Sequence, residues 1–132
     1  NVLKDIYKTN LYELANWRNS LTSKNFKGPK GYSIPKNSIN KPPSAELSFN
    51  QKDTDKLPTY EILDKILYYF IEKEYSIEEI CDKGFSKELV KRIRNMLLIS
   101  EYKRRQAPPG VKISIKSFGK ERRYPITNQF KM

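Results

Sequence analysis

Lys103, Arg104 and Arg105, followed by Arg122 and Arg123, are the residues of this 132-residue chain whose types and spacing suit chemistry. Nine cations face two acids between Glu101 and Met132, in the order EYKRRQAPPGVKISIKSFGKERRYPITNQFKM. The first three cations close a helix-like run, and a rigid Ala107-Pro108-Pro109-Gly110 break follows. The second pair adjoins Tyr124-Pro125-Ile126-Thr127-Asn128. Cations at fixed places suit the grip of a phosphate-bearing ligand: Arg offers a planar fork that matches phosphate oxygens, and Lys a compact point charge. The chain has no histidine, which removes His-based triads and the usual zinc sets. Glu46, Asp53 and Asp55 are the candidate carboxylates, but they lie in a polar loop, where acids serve as caps or solvated surface. No catalytic residue and no metal ligand is therefore expected, and the chain reads as a binder of substrate. Cys81 falls at helical spacing with Ile77 and Ile80, which makes it a small core residue rather than a nucleophile or a ligand.

The elements that must position these cations are helical. Ile6, Leu11, Leu14, Ala15 and Trp17 recur at roughly helical intervals, with Asp5 placed as an N-cap or first-turn acid, so residues 1–21 predict a first helix. Residues 22–58 dissolve into Gly, Pro, Ser, Asn and Lys and read as a long irregular segment, a kind that is functional or disordered. Residues 59–107 hold the stronger helices. Ile62, Leu63, Ile66, Leu67 and Phe70 share one face after Pro58 and Thr59. Ser76 and Glu79 form a capping box for a short helix that ends at Gly84. A last helix starts at Ser86, with Leu89, Val90, Ile93, Met96 and Leu97 as its buried stripe, and runs towards Arg105 before Pro108 stops it. Residues 108–132 form a basic extended tail. Its Val111, Ile113 and Ile115 alternate with Lys112, Ser114 and Lys116, as a strand would or as an extended arm lying across a neighbour would.

The net charge of +11 is unevenly spread. Residues 1–52 carry nine cations and three acids, residues 53–100 eight and ten, and the tail nine and two. Two basic arms flanking a near-neutral middle imply a polyanionic partner: nucleic acid, an acidic membrane face or a nucleotide polyphosphate. Part of the excess is equally consistent with solvated surface. At 37% apolar residues the chain suits one small domain with a modest core. It has no apolar run of membrane-spanning length and no signal pattern, so a cytoplasmic, non-membrane protein is expected.

The tail block EYKRRQAPPG, its alternating Lys/Ser stretch and FGKERRYPITN closely resemble the C-terminal end of glutamine-dependent NAD synthetases. Upstream, Leu3-Lys4-Asp5-Ile6-Tyr7-Lys8-Thr9, Lys41-Pro42-Pro43-Ser44-Ala45-Glu46-Leu47 and Gln51-Lys52-Asp53-Thr54-Asp55-Lys56-Leu57-Pro58 extend the resemblance in the family's order, over nearly the whole chain. It implies a mainly α fragment of an α/β domain, the C-terminal helical part of an adenine-nucleotide alpha-hydrolase-like (Rossmann-like) synthetase domain whose sheet comes mostly from upstream sequence. The family's SGGxDS loop for ATP and the nitrilase-like glutaminase domain of its longer members are not in this sequence, which starts at Asn1. The chain is accordingly read as a C-terminal piece of a synthetase.

The resemblance also implies the reaction. ATP adenylylates the pyridine carboxylate of deamido-NAD, and ammonia drawn from glutamine attacks the acyl-adenylate to give NAD and AMP. Lys103 resembles a contact to deamido-NAD, with Arg104 sharing the role. Lys8 is similar to a lysine that reaches ATP phosphates, Ser44 to a residue placed near ATP and Mg²⁺, and Lys52 to one on the mobile loop that follows. ATP and Mg²⁺ would be bound mainly by upstream sequence. The family's synthetase domains pair around their active sites, which implies a homo-oligomer and leaves Arg122 and Arg123 open to either a phosphate clamp or a subunit interface.

The residues alone, without the resemblance, favour another reading. Ser76 to Lys91 reads as a short helix, a Gly84-Phe85 turn and a second helix bearing Lys87, Lys91, Arg92 and Arg94, which fits a small basic helix-turn-helix DNA-binding module. That pattern arises wherever a Gly turn joins two helices, and it leaves the tail unexplained.

Overall fold

The computed structural model describes residues 1–22, 27–41 and 57–127. In chain order the helices are α1 (Lys8–Ser20), α2 (Lys36–Asn40), α3 (Tyr60–Ile71), α4 (Ile77–Cys81), α5 (Lys87–Ile99) and α6 (Glu101–Gln106). The chain divides into one unit made of Asn1–Ile6 with Leu63–Met132, and another spanning Tyr7–Ile62. Among the described residues there is no strand, and no helix is long and apolar enough to cross a membrane.

In the Tyr7–Ile62 unit, α1 is the expected first helix, but it buries none of its residues: Leu14 and Trp17 stay exposed. Polar bonds hold this unit instead. The Asn19 side-chain oxygen accepts from the backbone N–H groups of Ser33 (2.9 Å) and Ile34 (2.8 Å), and its amide donates to the Ile34 carbonyl at 2.8 Å. The irregular segment expected over residues 22–58 contains the five-residue helix α2.

The unit of Asn1–Ile6 and Leu63–Met132 contains the core. Ile66 and Phe70 of α3, Ile80 of α4, and Val90 and Ile93 of α5 are buried together, and Leu63, Leu67, Tyr69, Phe85 and Leu89 pack around them. The α3 spacing from Leu63 to Phe70 returns one side every turn, which is why those positions and not Glu61 or Lys65 turn inward. Ile62, expected on that face, stands exposed at its edge. The expected capping box is present: the Ser76 hydroxyl accepts from the Glu79 N–H (3.2 Å), and the Glu79 carboxylate accepts from the Ser76 N–H (2.7 Å). Gly84, at φ +95°, then takes a left-handed turn that a side chain would strain. Ser86 caps α5 through the Leu89 N–H. Cys81 is a free thiol, half-buried and packed against the core.

Local expectations differ from the structure at several points. Asp5 does not cap α1, which starts at Lys8 after Tyr7 with no side-chain cap. Four donors in the tail engage the Asp5 carboxylate, and a set that large outweighs the single bond a cap offers. The last helix does not run unbroken to Arg105. It bends at Ser100 (φ −81°, ψ 3°), whose hydroxyl donates to the Leu97 carbonyl at 3.0 Å and so competes with the helical ladder. Met96, expected inside, is exposed because the core ends at Ile93. Of the two alternatives left open for residues 111–116, the strand is absent. Val111, Ile113 and Ile115 face outward at 60%, 57% and 72% exposure, while the Ser114 hydroxyl and the Lys116 backbone N–H reach the carboxylates of Asp5 and Glu72.

Candidate functional site

The EYKRR block folds as α6, and the structure separates its cations. Arg104 is buried beside Glu101, which is 2% exposed, with guanidinium Nη2 2.5 Å from carboxylate Oε2. That approach is a charge contact without hydrogen-bond alignment, since Arg104 Nη2 and Glu101 Oε1 lack a hydrogen-bond partner. Arg105 Nε lies 3.8 Å from Glu101 Oε1 and offers partial compensation. Two rings flank the Arg104 guanidinium, Phe118 at 5.9 Å and Tyr124 at 5.6 Å. Tyr124 also lies 5.4 Å from Arg122, so one ring serves two guanidiniums.

Lys103, its immediate neighbour, points the other way. Its side chain is exposed, its ammonium is 6.0 Å from the Tyr102 ring, and it makes no ion pair among the described residues. Because α6 is a single turn and a half, adjacent residues lie about 100° apart around it, so one is packed and the next faces solvent. Ala107, extended ahead of Pro108, ends the turn there.

The stretch that follows α6 is fixed by the N-terminal segment. The Asn1 backbone nitrogen donates to the Pro109 carbonyl at 2.7 Å, and Lys4 Nζ donates to the Pro108 carbonyl at 2.6 Å. Gly110 is needed at this crossing: a Cβ there would lie 2.8 Å from the Asn1 carbonyl oxygen and from Lys4 Cβ. The buried Asp5 carboxylate then accepts from the N–H groups of Ile113 (2.7 Å), Ser114 (2.8 Å) and Phe118 (2.8 Å), and from the Ser114 hydroxyl at 2.9 Å. Burial works against its ionisation, but the bonds from Ser114, Ile113 and Phe118 outweigh it and hold the carboxyl below its ordinary value.

A folded-state pKa below the unfolded one means that ionised Asp5 stabilises the fold above the ordinary aspartate range, about pH 4. That contribution is lost as pH falls through the lower folded-state value. Asp5→Asn is therefore expected to lower the thermal midpoint most near neutral pH, with the difference from the parent shrinking on acidification below about pH 4. A difference that stayed constant with pH would contradict this.

Arg122 and Arg123 are engaged within the chain. Arg122 Nη1 donates to the carbonyls of Phe70 and Ile71 (3.1 Å to the latter), satisfying groups that the C-terminus of α3 leaves open. Arg123 Nη2 donates to the Gly119 carbonyl at 2.5 Å. Lys116 pairs with Glu74, and its N–H donates to Glu72 at 3.2 Å.

Lys8 is the first residue of α1 and is exposed, without an ion pair among the described residues. A cation at the positive end of a helix is electrostatically unfavourable, so its place there is not explained by helix stability. Ser44 and Lys52 lie outside the described residues, as do Glu46, Asp53 and Asp55. Among the described residues, no group of three or more Cys, Asp or Glu is arranged to hold a metal ion.

Sequence reasoning did not anticipate Asp5 as the anchor of the tail, and its only signal was an acid ahead of a helix that starts too late to use it. Nor did it anticipate an open groove of about 530 Å³ whose lining includes Phe70, Tyr75, Lys87, Lys91, Arg122 and Tyr124. Glu74, Glu78 and Glu79 line it too. The cations that suggested a DNA-reading helix thus share their surface with carboxylates that would repel a phosphate backbone.

A glutamine-dependent NAD(+) synthetase of Rhodobacter capsulatus is 45% identical over 131 residues, covering 99% of this chain and 24% of that protein. Its counterpart from Thermotoga maritima is 48% identical over 130 residues, covering 98% of this chain and 21% of the relative. The solved structure of the Acinetobacter baumannii glutamine-dependent NAD+ synthetase, in complex with adenosine diphosphate, superposes with a TM-score of 0.53 at 39% identity. It covers 96% of this chain and 20% of that one, so the chain spans between a fifth and a quarter of the length of these relatives. Residues 1–107 match the family model for NAD synthase, and the chain belongs to the NAD synthase family.

Proposed function

We propose that this chain is the C-terminal segment of a glutamine-dependent NAD synthetase domain, where it helps hold deamido-NAD while ATP activates the pyridine carboxylate for attack by glutamine-derived ammonia. The observation that carries the reading is Lys103: an exposed ammonium free of ion pairs among the described residues, on a turn braced by a buried ion pair, in a chain of this family. Both substrates bring phosphates and the leaving pyrophosphate gathers negative charge, so a cation held in place lowers the barrier electrostatically without taking part in proton transfer.

Lys103 makes the contact to deamido-NAD. Arg104, which the resemblance implicates as a second contact, is buried against Glu101 and instead holds the Lys103 turn. Lys8, Ser44 and Lys52 serve the ATP phosphates, and Mg²⁺ accompanies ATP on residues upstream of this segment. The α/β synthetase domain to which the helices belong acts as a homo-oligomer in the cytoplasm. The comparisons lend no support to the DNA-binding module, and carboxylates share the surface of its basic helix.

The test uses the complete synthetase polypeptide that carries this sequence, supplied with deamido-NAD, ATP, Mg²⁺ and glutamine; NAD formation is expected. The isolated 132-residue chain, which has no SGGxDS loop, is expected to make no NAD even with ammonia supplied. Robust turnover by that chain alone would refute the division of labour proposed.

A further inference from the structure

We propose that Asp5 is a positioning residue of the dinucleotide site: its carboxylate clips the 113–118 turn to the N-terminal segment and thereby fixes the end of α6 from which Lys103 reaches its ligand. The inference rests on the reading that Lys103 receives deamido-NAD.

Its structural basis is a continuous set of contacts inside one unit of the fold. Asn1 and Lys4 hold the carbonyls of Pro109 and Pro108, directly after α6. Asp5, next in the chain, collects three backbone N–H groups and one hydroxyl from residues 113–118. Neither end of the 107–118 stretch lies in a sheet or a helix, so these contacts, with the Lys112–Glu121 and Lys116–Glu74 pairs, define its path. Phe118, whose N–H Asp5 holds, also supplies a ring over Arg104, the buried partner of Glu101 in the same turn as Lys103. The clip therefore reaches α6 by two routes, along the chain through Pro108 and across the packing through Phe118 and Arg104.

Charge is essential to the clip. All four groups that face the carboxylate are donors, which a carboxylate accepts in full. An asparagine at position 5 would keep the shape but aim an NH₂ at N–H groups, turning attraction into repulsion at one oxygen. Glutamate would keep the charge with one methylene too many.

In the complete synthetase polypeptide, Asp5→Asn is expected to raise the KM for deamido-NAD by about tenfold, within the roughly hundredfold loss that an ångström of misplacement causes. The KM for glutamine should not move, and Asp5→Glu should recover part of the deamido-NAD KM. A purely structural Asp5 would instead reduce the amount of active protein, lowering apparent kcat with both KM values intact, and that result overturns the proposal. Should Asp5→Asn fail to fold, Ser114→Ala removes only the hydroxyl contact, and a smaller rise in the same KM is expected; an unchanged KM counts against the proposal. Amide exchange separates this inference from the functional reading. Ile113, Ser114 and Phe118 should be protected in the parent and lose protection in Asp5→Asn. If the parent polypeptide does not use deamido-NAD at all, the functional reading falls; unchanged protection of those three amides would remove the clip itself.

Discussion

Lys103→Ala in the complete synthetase is expected to raise the KM for deamido-NAD by about tenfold to a hundredfold while leaving the KM for glutamine and the thermal midpoint nearly unchanged. The magnitude follows from removing a charge-assisted contact to a phosphate, a bond typically worth about 1.5–3 kcal/mol. The selectivity follows from the structure, because the Lys103 side chain is exposed and makes no ion pair among the described residues, so its loss leaves no buried group uncompensated. Kinetics with both substrates and a melting curve of the same preparation check it. Unchanged deamido-NAD kinetics would take Lys103 out of the site.

One residue further on, Arg104→Ala should produce the opposite signature, a loss of stability on the order of 3–5 kcal/mol. Removing the guanidinium leaves Glu101, 2% exposed, as a buried charge whose nearest remaining cation is Arg105 Nε at 3.8 Å. It also strips a cation from between the Phe118 and Tyr124 rings. The midpoint in denaturant should fall well below that of the parent, and the double variant Glu101→Gln, Arg104→Met should regain much of the loss, because both charges leave together. If Arg104→Ala melted like the parent but bound deamido-NAD weakly, Arg104 would be a ligand contact and not a brace.

The pair also shows how far one-dimensional information reaches. In EYKRRQ the two cations are adjacent and of the same chemical kind, and the family resemblance implicates both. Which one faces solvent is decided by the phase of a one-and-a-half-turn helix relative to Phe118 and Tyr124, residues that arrive from later in the chain. Arg122 makes the same point. As a sequence feature it suits a phosphate clamp, yet in the fold it closes the carbonyl end of α3, some fifty residues upstream.

The helices with a strong apolar stripe or a complete cap were legible from the residues. Ile66 and Phe70 in α3, Val90 and Ile93 in α5, and the Ser76–Glu79 box are local patterns with a period, and a period survives without knowledge of the partner. The family, too, was written in the sequence, since blocks such as EYKRRQAPPG keep their order along the chain. Asp5, Ser100 and the 111–116 segment were decided only in three dimensions. Each has polar groups that can satisfy a neighbour in the chain or a distant one, and the choice depends on which donors and carboxylates the fold delivers. Asp5 met four donors 108 to 113 residues away and left α1 uncapped; the Ser114 hydroxyl and the Lys116 backbone N–H found the carboxylates of Asp5 and Glu72, and Val111, Ile113 and Ile115 were left facing out. Apolar periodicity is therefore a property of the sequence, whereas the pairing of polar groups belongs to the tertiary structure, because a hydrogen bond specifies its partner's position and a hydrophobic contact does not.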